Sequence, residues 1–182
     1  MDASLEDSMR TRAVAVAFVA VFAVGVAVGV MARSKTPEPA MFLGQSKQDA
    51  ARTLLEIARG QAGKGSWERI AVGRAYYLGG MKKEGQEIFD SIRKPEDSDL
   101  LRIGRVYYEA GEWDKAKQTF DRVIDKAPKD APWLAEIGAY YNLKGERDHA
   151  EELFAKSFAL EAAEVWNTTN IAGSYLGVEP QR

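Results

Sequence analysis

Three stretches of this chain repeat one pattern at a near-constant interval. The first reads Ile70-Ala-Val-Gly-Arg-Ala-Tyr-Tyr77 and continues to Gly80 and Phe89. The second reads Leu101-Arg-Ile-Gly-Arg-Val-Tyr-Tyr108, then Gly111, Ala116, Phe120 and Pro128. The third reads Ala135-Glu-Ile-Gly-Ala-Tyr-Tyr141, then Gly145, Ala150 and Phe154. The step from Gly104 to Gly138 sets the full period, and the step from Gly73 to Gly104 is slightly less, the first copy being shortened near Pro95. A partial fourth copy follows at Ile171-Ala-Gly-Ser-Tyr175, with Ala172 standing one full period after Gly138. A unit this short cannot bury an apolar face alone, so consecutive units must stack to share a core. Inside each copy apolar residues recur at three and four, as in Ile103, Tyr107 and Ala110, which is the period of a helix.

Each repeated residue has a physical task. Gly73, Gly104 and Gly138 let the two helices of one unit approach, and Tyr76, Tyr107 and Tyr141 fill the space beside them. Gly80, Gly111 and Gly145 end the first helix, where a left-handed backbone suits glycine. Ala116 and Ala150 are small where the second helix packs back. Phe89, Phe120 and Phe154 are large partners for the following unit, and Pro132 falls in the first turn of a helix. The first unit has Gly85 in place of the alanine, which predicts looser packing there. The third has Ala162 in place of Pro128, so its second helix should run further.

A period of about 34 residues, carrying these residues, resembles the tetratricopeptide repeat family. The resemblance implies an all-α fold: a right-handed α-α superhelix, or solenoid, of about eight helices over residues 46–182. Its repeats are expected at about 66–95, 97–130 and 131–164, with a capping helix at 164–177. Residues Gln48 to Ala58 look like the second helix of a degenerate repeat, broken by Gly60, Gly63 and Gly65. The resemblance further implies a concave face built from the first helix of each unit. On this chain that face comprises Arg74, Tyr77, Leu101, Arg102, Arg105, Tyr108, Ala139 and Asn142. Arg74 and Arg105 occupy equivalent positions, each followed three residues later by a tyrosine. Two stacked Arg-Tyr pairs suit an extended, acidic peptide or protein partner. The carboxylate-clamp pattern of chaperone-binding relatives is absent, since Ile70, Arg74, Leu101 and Arg102 stand where Lys and Asn are wanted.

The N-terminal region has a different character. Ala13 to Ala32 is a run of 20 uncharged residues, eight of them Val and seven Ala, bounded by Arg12 and Arg33. At 1.5 Å per residue such a helix matches a hydrocarbon core of roughly 30 Å. We expect a short tail (1–12), a single transmembrane helix (13–32) and a linker (33–45) kept extended by Pro37 and Pro39. Gly25 and Gly29 form a GxxxG pair, which lets two helices meet closely in lipid. A signal peptide cleaved at Ala32 is the competing reading, although its apolar region would be unusually long. Flanking charges are balanced, two against two, so orientation rests on the commoner arrangement: soluble domain outside the cytoplasm, periplasmic or extracytoplasmic.

Composition narrows function. The net charge of −2 disfavours nucleic acid as a partner. The chain has no cysteine and one histidine, His149, so no thiolate or multi-histidine metal site and no cysteine nucleophile can form. No phosphate-binding glycine loop is present, because Gly60, Gly63 and Gly65 lack a following Lys-Ser/Thr. No cofactor and no catalysis are expected. Charge is uneven: Lys47–Lys83 holds 8 basic and 3 acidic residues, and Ala131–Arg182 holds 4 and 8. The basic part adjoins the expected anchor and could rest on anionic headgroups. The pattern therefore suggests a single-pass membrane scaffold or adaptor that supports complex assembly. A permanently packed accessory subunit and an exported soluble repeat protein are the alternatives.

Overall fold

The computed structural model describes residues 36–181. Among them are eight α-helices and no strand: α1 (Lys47–Ala62), α2 (Ser66–Leu78), α3 (Lys82–Asp90), α4 (Asp97–Glu109), α5 (Trp113–Lys126), α6 (Ala131–Leu143), α7 (Arg147–Glu161) and α8 (Val165–Tyr175). Among the described residues no helix is long and apolar enough to cross a membrane. The span expected at 13–32, with Gly25 and Gly29, lies outside the described residues, as does the tail before it.

The described chain divides into two compact units between Val72 and Gly73. In the first, the stretch expected to be extended contains a 3-10 turn over Pro39–Met41, because Pro39 pre-sets the φ of a first helical turn. Ser46 caps α1 by accepting from the Asp49 amide at 3.1 Å. The helix runs through Gly60 and stops at Gly63, whose φ of 56° leaves the helical region. Gly60 alone does not end it, because one glycine costs only about 1 kcal/mol in a helix interior.

In the second unit α4 packs on α5, and α6 packs on both α7 and α8. Its core holds Phe89, Leu101, Val106, Phe120, Val123, Leu134, Tyr140, Tyr141, Leu153 and Phe154, all below one-tenth exposed. Burying each such side chain contributes about 1.5–3 kcal/mol. The turn glycines Gly80, Gly111 and Gly145 adopt φ of 88°, 74° and 84°. Asp130 caps α6 through the Trp133 amide at 3.0 Å, and Glu164 caps α8 through the Trp166 amide at 3.1 Å. Ser157 of α7 donates to the Ala131 carbonyl at 2.8 Å, tying the end of one helix to the start of its neighbour. Helix α7 ends at Glu161, slightly further along its repeat than α5, which ends at Lys126 ahead of Pro128.

One packing expectation gains a second contact, and another is corrected. The phenylalanines seat first in their own units: a Cβ on Gly73, Gly104 or Gly138 would stand 2.5, 2.5 or 2.7 Å from Cε1 of Phe89, Phe120 or Phe154. Each glycine is the notch that receives the ring. The ring then reaches onward, Phe120 stacking on Tyr140 at 5.1 Å with planes 8° apart. Gly85 gives a closer crossing, not a looser one. A Cβ there would lie 2.7 Å from the Gly73 carbonyl oxygen and 2.8 Å from the Tyr77 nitrogen, both backbone atoms.

Candidate functional site

Long polar side chains cross between successive repeats, from α2 to α4 and from α4 to α6. Arg74 donates through Nε to Glu109 Oε2 at 2.8 Å, with Nη2 on the same oxygen at 2.7 Å. Arg105 grips Glu136 with two parallel bonds of 2.6 Å each. Both partners of the second pair are largely buried, at 19% and 8% side-chain exposure. Burial pulls the Arg105 guanidinium down, but the hydrogen bonds and charge of Glu136 outweigh it, and the group ends above its ordinary value.

A second line of contacts follows the turns between helices. Glu112, directly after Gly111, accepts from Tyr77 and Lys82 at 2.5 Å each and pairs with Lys115 at 2.8 Å. The bonds from Lys115, Lys82 and Tyr77 lower its carboxyl to about 2. Lys115 also donates to the Tyr77 hydroxyl at 2.9 Å. One unit on, Glu146 directly follows Gly145 and does the same work. It accepts from the Trp113 indole at 2.7 Å and from Lys117 at 2.6 Å, and Lys117 and Trp113 hold its carboxyl below the usual range. Tyr107 donates back to Gln86 at 2.9 Å, and Tyr141 donates back to Asp121.

The residues expected on the concave face separate into groups. Tyr77, Leu101 and Ala139 are buried, because at these positions the adjoining helices close over the side chain, and they present no surface to a partner. Arg74 and Arg105 are joined to carboxylates of the next unit, so they act as links between repeats. Tyr108 is half-buried; its ring lies 4.5 Å from that of Tyr140 and under Lys144 Nζ at 4.7 Å. Asn142 donates to Ser174 at 2.9 Å. Arg102 is half-buried on the same helix as Arg105. Among them, Arg102, Tyr108 and Asn142 keep partial exposure together with Arg74 and Arg105.

Glu109, Glu112, Glu136 and Glu146 carry these contacts, and the sequence reading passed over them. A signal was present for two: Gly111-Glu112 and Gly145-Glu146 recur one full period apart. His149 packs its ring on Tyr141 at 4.5 Å and keeps 43% of its side chain exposed on α7. Asn167-Thr168-Thr169 has the form of a glycosylation sequence, but Asn167 is buried in α8. Among the described residues no three His, Cys, Asp or Glu side chains cluster as metal ligands would.

Residues 100–130 match the family model of the tetratricopeptide repeat. That segment covers most of α4, the turn after it and all of α5, so a tetratricopeptide repeat lies at this helix pair, which suggests a scaffold for protein–protein interaction. The all-helical architecture of the described residues agrees with a solenoid of such units. No curated protein matches the chain.

Proposed function

We propose that this chain is a membrane-anchored scaffold that holds a protein partner against its repeat solenoid and so supports assembly of a membrane or envelope complex. The observation that carries the reading is the tetratricopeptide repeat at residues 100–130, set among helix pairs of the same register. The 20-residue uncharged run at 13–32 supplies the anchor, with contact between spans through Gly25 and Gly29. The soluble part lies on the extracytoplasmic side. Partner contact falls on the exposed parts of Arg74, Arg102, Arg105, Tyr108 and Asn142, with no catalysis and no nucleic acid.

A permanent accessory subunit is favoured by one observation. Val165, Trp166, Leu176 and Val178 at the α8 end are each more than half exposed, and terminal repeats of a free solenoid usually turn a polar face outward. Proximity labelling from the intact chain, followed by native sizing after detergent extraction, separates the readings. A scaffold labels a defined set of proteins and sizes apart from them. A stable subunit stays in one large particle. Release into the soluble fraction by alkaline wash rejects the anchor.

A further inference from the structure

The first and last helices among the described residues each hold half of a repeat. Helix α8 has the register of a first helix: Ile171, Ala172 and Tyr175 stand one full period after Ile137, Gly138 and Tyr141 of α6. Helix α1 has the register of a second helix. Its Ala50, Thr53, Leu54 and Ile57 keep the spacing of Ala116, Thr119, Phe120 and Val123 in α5, and of Ala150, Leu153, Phe154 and Ser157 in α7. Among the described residues no second helix of its own repeat follows α8, and no first helix precedes α1.

Both half-repeats leave open the face that the missing helix would cover. In complete units these positions are withdrawn from water. Ala131, Leu134 and Tyr141 of α6, and Ala116, Phe120, Ala150 and Phe154 of the second helices, are at most 4% exposed. On α8 the equivalent Val165, Thr168 and Tyr175 are exposed, Tyr175 at 48%, and so is Ala172 at the notch position. On α1 Ala50 and Leu54 are half-buried. The chain after Gly177 does not cover that α8 face. It turns back beside Gly173 and Asn170, which the helical period sets on the other side from Thr168, Ala172 and Tyr175.

The two open faces match by the rule of the complete units. There a phenylalanine of the second helix enters a glycine notch on the first, and a Cβ at Gly138 would stand 2.7 Å from Phe154 Cε1. Position 172 carries that Cβ, as alanine, and α1 carries the shorter Leu54 in place of the ring. The two changes compensate, because the smaller side chain returns the room that the methyl takes. Charge orients the pair. Within a unit the end of the second helix meets the start of the first, as Ser157 meets Ala131. The same placement puts Arg59, in the last turn of α1, beside Glu161 and Glu164, which precede α8.

We infer that α1 of a second copy seats on α8 and supplies the second helix of its repeat, with Leu54 over Ala172. The contact is heterologous, each copy offering one face and receiving with another. It goes beyond the scaffold reading, whose surface at Arg74, Arg102, Arg105, Tyr108 and Asn142 belongs to neither face.

Leu153 sets the test. Its Cβ lies 3.1 Å from a Cβ placed on Gly138, near the separation that a disulfide spans, about 3.5–4.5 Å. The equivalent pair across copies is Thr53 and Ala172, and the native chain has no cysteine. Full-length Thr53→Cys and Ala172→Cys chains, carrying different tags, are co-expressed and oxidised before extraction. The mixture should give a cross-linked dimer bearing both tags, and each variant alone should give about tenfold less, because like positions do not meet. Arg52→Cys is the control for chance collision, since Arg52 is exposed on the opposite side of α1 from Leu54. Mixed with Ala172→Cys it should also give about tenfold less. Adding Arg59→Glu to the Thr53→Cys chain, or Glu161→Lys to the Ala172→Cys chain, should lower the dimer about threefold, the size of an exposed ion pair, and both together should restore it. No dimer from the mixture, an equal yield from the Arg52→Cys control, or Ala172→Cys linked only to a different protein overturns the pairing. Failure of the double exchange to restore the dimer overturns the placement of α1 along α8. Capture of other proteins by the native chain bears on the scaffold reading alone.

Discussion

Arg105 and Glu136 face each other from neighbouring units with two hydrogen bonds of 2.6 Å, and both side chains are largely withdrawn from water. Such a pair contributes little beyond a well-packed apolar pair, yet breaking it on one side strands a buried charge. Glu136→Ala should cost about 3–5 kcal/mol in urea unfolding. The double change Arg105→Met/Glu136→Leu should cost less than that single one. A double variant as unstable as Glu136→Ala would show that the pair does not behave as a buried one.

Glycine substitutions should divide by what a Cβ meets. At Gly85 the obstructing atoms are backbone, the Gly73 oxygen at 2.7 Å and the Tyr77 nitrogen at 2.8 Å, and neither can rotate away. Gly85→Ala should therefore destabilise by about 1–3 kcal/mol, as overpacking does, although alanine is what the other units carry there. Gly60→Ala should do the reverse. That glycine sits inside α1 with nothing within 4 Å, and alanine there gains about 0.5–1 kcal/mol of helix propensity. Thermal unfolding of the two variants against the native chain reads both signs.

At Gly104 the obstruction is the Phe120 ring, 2.5 Å from the added Cβ, and that ring is pinned by stacking on Tyr140. Gly104→Ala alone should lower the melting temperature. Combined with Phe120→Leu, which empties part of the notch, the second change should cost less than it does alone. Strict additivity of the two would mean that glycine and ring do not meet.

Glu112 sets a pH dependence. Its carboxyl titrates at about 2 in the folded chain, held down by Lys115, Lys82 and Tyr77, and near the ordinary carboxylate value when unfolded. The unfolded state therefore binds the proton first. The stability this residue contributes is fully present above about pH 5 and is lost as pH falls from there toward 2. Glu112→Gln should be less stable than the native chain at pH 7, and the gap should close on acidification. Urea midpoints that run parallel across that range would rule the effect out.

The helices, their turns and their order were legible in the sequence because they are set by local physics. The three-and-four spacing of Ile103, Tyr107 and Ala110 forms a helical face within one turn of chain. Gly111 and Gly145 end helices through their own φ of 74° and 84°. A helix at Val165–Tyr175 ends at Gly177, whose φ of 77° does the same. The candidate site was less legible. Arg74 and Arg105 were readable as equivalent positions, but their carboxylates lie 35 and 31 residues away, on helices whose distance no local pattern encodes.

What the sequence alone determined is therefore the unit: two short helices, a glycine turn, and an aromatic residue above a glycine. What only the tertiary structure decided is how each unit meets the next. An arginine on a repeat surface reads the same whether it faces solvent, a ligand or a glutamate one repeat away. Its partner depends on the separation and angle of two helices, which the packing of Phe120 against Gly104 and Tyr140 fixes once the chain has folded.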